Sequence, residues 1–261
     1  MIENPVIEQM MRRASLRSYK PDVPSNEVIE TVVRAGQQAP FALQGYSVIL
    51  SRDADDHPFK APLCFVICVD FHKFDRIMRR RGWAPRVCDL YRFVLAAQDA
   101  AYFAQNMVQA AESLGMGTCF LGYFPMMAGK LRENFKLPSR VFPLVGLTMG
   151  YPAEGPEPVR PRFPLSFTLF EGEYAELSDE QLDEAARAMD EGYLAQDYYR
   201  RLNAKIGLPE GMDETFDYSN YSWTEHLCRK NGLWGADPAR LLEQFEACGF
   251  TLTRPREDVE E

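Results

Sequence analysis

The sequence holds no apolar run long enough to cross a membrane. Its longest, such as Val141–Tyr151, fall well short of the ~18 residues a spanning helix needs. Positive charge is also scarce: 29 of 261 residues are basic against 38 acidic, a formal net charge of −9. That excludes the broad basic face with which nucleic-acid binders neutralise phosphates, while leaving room for a local pocket that takes one small anion. There is no CxxC pair among the six cysteines Cys64, Cys68, Cys88, Cys119, Cys228 and Cys248. Cys64 and Cys68 fall inside the apolar run Ala61–Val69 and read as small buried hydrophobes, so neither a zinc site nor a redox pair is expected. The histidines His57, His72 and His226 have no partners at metal-ligand or triad spacing. No GxGxxG turn is present to hold a dinucleotide. The first thirteen residues include Glu3 and Glu8 and lack an apolar core, so no signal peptide and a cytoplasmic location are expected.

What is present is the composition of an ordinary globular chain, 46% hydrophobic and 26% charged, enough for a full core without staples. Residues Asn4–Arg13 read as a short helix with Val6, Met10 and Met11 inward. Ser25 reads as the N-cap of a helix carrying Val28, Ile29, Val32 and Val33 on one face, broken at Ala39-Pro40. Tyr46–Leu50, Leu63–Val69, Thr118–Gly122 and Phe142–Gly150 read as strands. The second is apolar on both faces, hence central in a sheet. Phe71–Arg86 looks irregular and arginine-rich. From about Tyr91 to Leu114 a long helix carries Phe93, Ala97, Ala100, Ala101, Ala104, Met107, Val108 and Ala111 on one face. Such small residues allow a close helix approach, in the core or at a subunit interface. Beyond Tyr174 the pattern is helical and polar, with capping boxes expected at Ser178-x-x-Gln181 and Ser222-x-x-Glu225 and a cap at Asp237-Pro238. The order of elements suggests one α+β domain: a core over 1–175 with a central mixed or antiparallel sheet flanked by helices, and a helical C-terminal extension over 176–261.

Two arginine pairs carry the chemistry. Arg160-Pro161-Arg162 lies in a stretch with prolines at 156, 158, 161 and 164, which must run extended. Residues two apart then point to roughly one side, so two guanidinium forks can converge on one phosphate. Arg13-Ala14-Ser15-Leu16-Arg17 adds two more arginines and a hydroxyl just after a helix. Either segment alone also reads as a solvated polar bend.

Together, and with Ala39–Tyr46 and Gly115–Gly122 at their spacing, they resemble the FMN-dependent nitroreductase family, closest to the branch of NADPH flavin oxidoreductases and oxygen-insensitive nitroreductases. RASLRSYKPDVP is similar to that family's opening motif. Ala39-Pro40 with Leu43-Gln44-Gly45-Tyr46 looks like a shortened form of its next loop. Residues 99–124 are similar to its central helix and flavin-contacting strand, and VRPRFP (159–164) to its phosphate clamp. The resemblance covers residues 5–175 well and the tail more loosely.

It implies a homodimer with FMN at the subunit interface, bound by residues of both chains. By similarity Arg13, Ser15, Arg17, Arg160 and Arg162 hold the phosphate and ribityl chain. Phe120, Gly122 and Tyr123 border the isoalloxazine ring, while Pro40, Phe41 and Gln44 lie at its rim. The implied reaction is ping-pong hydride transfer from NADH or NADPH through flavin N5 to a nitroaromatic, quinone or free flavin. No catalytic side chain is required, because the flavin carries the chemistry. Flavin cleavage, reductive dehalogenation or flavin binding without turnover are the alternatives. The chain departs from the pattern in its short 39–46 loop, in Tyr123 where a second glycine is usual, and in its tail. There Asp217, Tyr218, Asn220 and Tyr221 stand where relatives place basic residues for the NADPH 2′-phosphate. NADH is therefore expected to serve at least as well as NADPH, unless Arg79–Arg81 or Arg229-Lys230 substitutes.

Overall fold

The computed structural model describes residues 2–85, 88–155, 157–233 and 238–252. In chain order these form α1 (Pro5–Met11), α2 (Asn26–Gln37), β1 (Tyr46–Ser51), β2 (Leu63–Asp70), α3 (His72–Arg80), α4 (Asp89–Ser113), β3 (Gly117–Leu121), α5 (Ala128–Asn134), β4 (Val141–Gly150), α6 (Asp179–Ala195), α7 (Tyr198–Arg201), α8 (Trp223–Leu233) and α9 (Pro238–Ala247). They fall into two compact units, Met1–Glu157 with Asp237–Glu261, and Pro158–Ala236. None of the described helices is long and apolar enough to cross a membrane.

The first unit is built on a four-stranded sheet in the order β1-β2-β4-β3, antiparallel throughout. Every residue of β2 is buried, as the apolar run Leu63–Val69 requires, and the closing Asp70 is buried with its carboxylate accepting from the Ser47 hydroxyl and Lys73 N–H. Alternate β2 residues serve opposite faces. Leu63, Phe65 and Ile67 join Ile29 and Val32 of α2 and Ala100, Phe103, Ala104 and Met107 of α4. Cys64, Val66 and Cys68 pack instead with Leu121, Phe124 and Leu131. Phe93, Phe142, Phe245 and Phe250 gather in a third cluster, with Phe142 and Phe245 stacked at 4.2 Å. That cluster places α9 in the first unit.

The alanine face of α4 is spent on the chain's own core: Ala100, Ala104 and Ala111 are buried, whereas Ala101 is exposed. Close packing against α2 needs one more small residue. A Cβ on Gly36 would lie 2.8 Å from both Met107 Cγ and Phe103 Cε2. In an open helix Gly→Ala stabilises by up to ~1 kcal/mol. Gly36→Ala should instead destabilise, by about 1–3 kcal/mol, because the core is overpacked; thermal unfolding gives the sign directly.

The Ser25 cap is formed, its side chain accepting from Val28 N–H, and the Ser178–Gln181 capping box is complete. Other expectations are corrected. Residues 72–80 are helical rather than irregular, since arginine, lysine and methionine are good helix formers whatever their charge density. Val6, Met10 and Met11 of α1 do not face inward but are 57%, 49% and 55% exposed. Ser222 does not cap α8 through a box with Glu225. Its hydroxyl donates to Asp190 O, and the Asp190 carboxylate takes the Thr224 N–H at 2.8 Å. The cap expected at Asp237 lies outside the described residues.

In the second unit α6, α7 and α8 enclose Tyr199, Tyr221 and His226, with Tyr221 and His226 joined by a 3.0 Å hydrogen bond. Arg229 is buried there, bonded to Glu214, Glu225 and Ile206 O.

Candidate functional site

After α1 the chain runs extended beside the free edge of β3. Ser15 bridges Thr118 in parallel, Leu16 N–H donates to Thr118 O at 2.9 Å, and Lys20 N–H donates to Tyr151 O. Gly117 permits this approach, because a Cβ there would meet Leu16 Cδ2 at 2.5 Å. Arg13, Ser15 and Arg17 are thereby carried on one half-buried segment along the sheet edge.

Arg13 Nε is buried and, among the described residues, has no hydrogen-bond acceptor; Glu112 Oε1 lies 3.7 Å away. Both residues line a cavity of about 360 Å3 together with Arg12, Leu16, Gly117, Pro152 and Glu154. Burial pushes the Glu112 carboxyl above its ordinary range, against the opposing pull of Arg13. The Cys119 thiol sits beside Ser15, Arg17 and Arg13, and burial raises it too despite those three. It is therefore a neutral, packed thiol rather than a nucleophile. The Arg17 guanidinium lies 6.0 Å from the centroid of Phe59.

At the end of β3, Gly122 faces open space and Tyr123 is 48% exposed, its ring edge-on to Phe124. The ring of Phe120 packs on the main core, so Phe120 presents backbone rather than side chain on the other face. Pro40, Phe41 and Gln44 are exposed on the loop between α2 and β1. Gln44 lines a different cavity of about 430 Å3 with Tyr46, Lys73, Phe74 and Phe103.

Arg160 and Arg162 belong to the second unit. The Pro158–Pro164 segment is held against α6, where Gly192 leaves room for Pro161, which a Cβ would meet at 2.4 Å. Arg160 stacks over Tyr198 at 3.9 Å and donates to Gln196 Oε1 at 2.7 Å. Arg162 is exposed and donates to the carbonyls of Arg160 and Pro161.

The first unit thus groups Arg13, Ser15 and Arg17 at the β3 edge and places Pro40, Phe41 and Gln44 on a separate loop. Two side chains that sequence reading passed over support these groups: Glu112 beside Arg13, and Asp99 beneath the 39–46 loop. Each had a signal, an acidic residue next to a buried alanine of α4: Ala100 for Asp99 and Ala111 for Glu112.

A family model described as Nitroreductase family matches residues 49–151. A protein of Pseudomonas sp. (strain G-1) named CR(VI) reductase is 33% identical over 215 residues, 77% of this chain and 87% of that one. The chain belongs to the nitroreductase family. Another relative, FMN reductase (NADPH) of Bacillus subtilis (strain 168), is 30% identical over 221 residues, covering 77% of this chain and 86% of its own. Among solved structures, B. megaterium NfrA1 superposes with a TM-score of 0.78 at 30% identity, over 95% of this chain and 99% of that one. The antiparallel sheet and its flanking helices are the nitroreductase-like fold.

The residues at the β3 edge suit the phosphate end of a flavin mononucleotide. An arginine whose buried Nε has no hydrogen-bond acceptor among the described residues, a half-buried second arginine and a serine hydroxyl form a donor set for a dianion. The open space beside Gly122 leaves a flat ring access to backbone.

Proposed function

We propose that the chain is an FMN-dependent NAD(P)H oxidoreductase acting on flat acceptors such as nitroaromatics, quinones or free flavin. The observation that carries the reading is the Arg13–Ser15–Arg17 segment stapled to β3, with Arg13 Nε buried and, among the described residues, given no hydrogen-bond acceptor. FMN, when bound, supplies two-electron transfer between nicotinamide and acceptor. The protein binds and orients. Arg13 and Arg17 offset the phosphate charge and Ser15 donates to it, and the family resemblance adds the guanidinium forks of Arg160 and Arg162. Gly122 and Tyr123 border the ring face, where the half-exposed Tyr123 narrows the space for an acceptor. The relatives named FMN reductase (NADPH) and Oxygen-insensitive NADPH nitroreductase support this activity over flavin cleavage or dehalogenation.

The functional particle in this reading is a homodimer. Val6, Met10 and Met11 of α1, with Leu90, Tyr91, Val94 and Tyr102 of α4, are exposed apolar side chains that a second copy would cover. A flavin-loaded monomer at micromolar concentration, seen by light scattering, would overturn it.

The experiment that tests the reading is the visible spectrum of the purified protein, with the flavin identified after release, followed by NADH and NADPH oxidation with menadione as acceptor. A yellow protein carrying FMN and turning over is expected. A colourless protein that takes up no added FMN would end the proposal, and a yellow one without turnover would make it a flavin carrier. NADH should serve at least as well as NADPH: Arg229 is held by Glu214 and Glu225, and the Asp217 carboxylate by Ser219. A preference for NADPH above about tenfold, ~1.4 kcal/mol, would assign the 2′-phosphate to the exposed Arg79–Arg81 cluster.

A further inference from the structure

Asp99 lies midway along α4 between the buried Ala96 and Ala100, and is itself 1% exposed. An ionised carboxylate at such depth must be fully engaged. Its partners are backbone amides of one loop. Ala42 N–H donates to Oδ1 at 2.7 Å, while Leu43 and Gly45 N–H donate to Oδ2 at 2.9 and 3.1 Å. The amide passed over is that of Gln44, whose φ of +52° is left-handed. Charge-assisted bonds on both sides hold a conformation that a non-glycine residue adopts only under constraint. Gly45 completes the seat, because a Cβ there would meet Ala96 Cβ at 2.5 Å. The backbone of 42–45 is therefore pinned to α4, while the side chains of Phe41 and Gln44 remain exposed.

We infer that Asp99 is the positioning residue for the acceptor side of the site, fixing where Phe41 and Gln44 stand; this rests on the flavin reading above. Asp99 lies buried beneath the loop, its carboxylate turned to the loop's amides. It acts through the loop, so its loss alters acceptor recognition while the phosphate grip, carried on other segments, persists. A carboxylate is needed rather than an amide. Asn in its place would turn a donor toward one of the three N–H groups.

The test compares the parent, Asp99→Asn and Gln44→Ala, using amide hydrogen exchange, FMN affinity and steady-state kinetics with a quinone. In Asp99→Asn the amides of Ala42, Leu43 and Gly45 should exchange at least about tenfold faster, with those of α2 and β2 unchanged. FMN Kd should stay within about threefold of the parent. KM for the quinone should rise about fivefold or more with kcat changed less than about twofold. Gln44→Ala should reproduce the KM shift with parental exchange. Parental exchange in Asp99→Asn, or exchange raised equally across the whole sheet, would overturn the proposal. So would a parental KM in Gln44→Ala, which decides the matter alone if Asp99→Asn does not fold. A parent that takes up no FMN would overturn the flavin reading and this role with it. A flavin-loaded parent whose variants keep its KM would overturn only the role.

Discussion

Asp89→Ala should lower the free energy of unfolding by about 3–5 kcal/mol, the range for stripping one partner from a buried ion pair. Asp89 is 1% exposed and both its oxygens accept from Arg140, Oδ1 at 2.8 Å from one guanidinium nitrogen and Oδ2 from the other. Oδ2 also accepts from Thr251 N–H at 3.1 Å. Arg140 in turn reaches Asp75 at 3.0 Å, and Asp75 is shared with Arg92 at 3.3 Å. The network joins α3, the start of α4, the residue before β4 and the segment after α9, which no local sequence pattern connects. Burial pulls the Arg140 guanidinium down, but Asp89 and Asp75 outweigh it and raise the net value. Without Asp89 the cation stays buried with one carboxylate to share, and an amide of the C-terminal segment loses its acceptor. Urea denaturation monitored by far-UV circular dichroism measures the loss. A drop below about 1 kcal/mol would show that the pair barely breaks even against its desolvation.

The second large effect is on ligand binding. Arg162→Ala should weaken FMN by about 2–4 kcal/mol, roughly thirty- to several-hundred-fold in Kd. Arg162 is exposed, and its bonds here go to the carbonyls of its own neighbours. The fold therefore loses little, and the change reads almost wholly on the ligand. Arg160→Ala differs, because Arg160 also stacks on Tyr198 and bonds Gln196; that variant should lose unit stability along with flavin. Flavin fluorescence titration of the two variants, beside their melting temperatures, separates the roles. Parental FMN retention by Arg162→Ala through dilution and gel filtration would remove it from the clamp.

Elements whose cause is local were legible in the chain. β2 announced itself because a strand buried on both faces needs an unbroken apolar run, which Leu63–Val69 supplies before the closing Asp70. α2 did so through its serine cap and its Ile29–Val32 stripe, and α4 through small residues at helical spacing. The arginine pairs marked a candidate anion site through their donors alone, and flavin entered only through the resemblance of the whole pattern to the nitroreductase family. The sidedness of α1 was not legible. Its Val6, Met10 and Met11 form an apolar stripe, and periodicity cannot say whether the chain itself or something else covers it. Nor were the carboxylate partnerships: Asp99 meets amides more than fifty positions earlier, and Asp89 meets Arg140 about fifty positions later. A charge inside an apolar stripe marks a polar group that must be satisfied, but which group satisfies it depends on chain crossings that only the folded sheet and helices bring about.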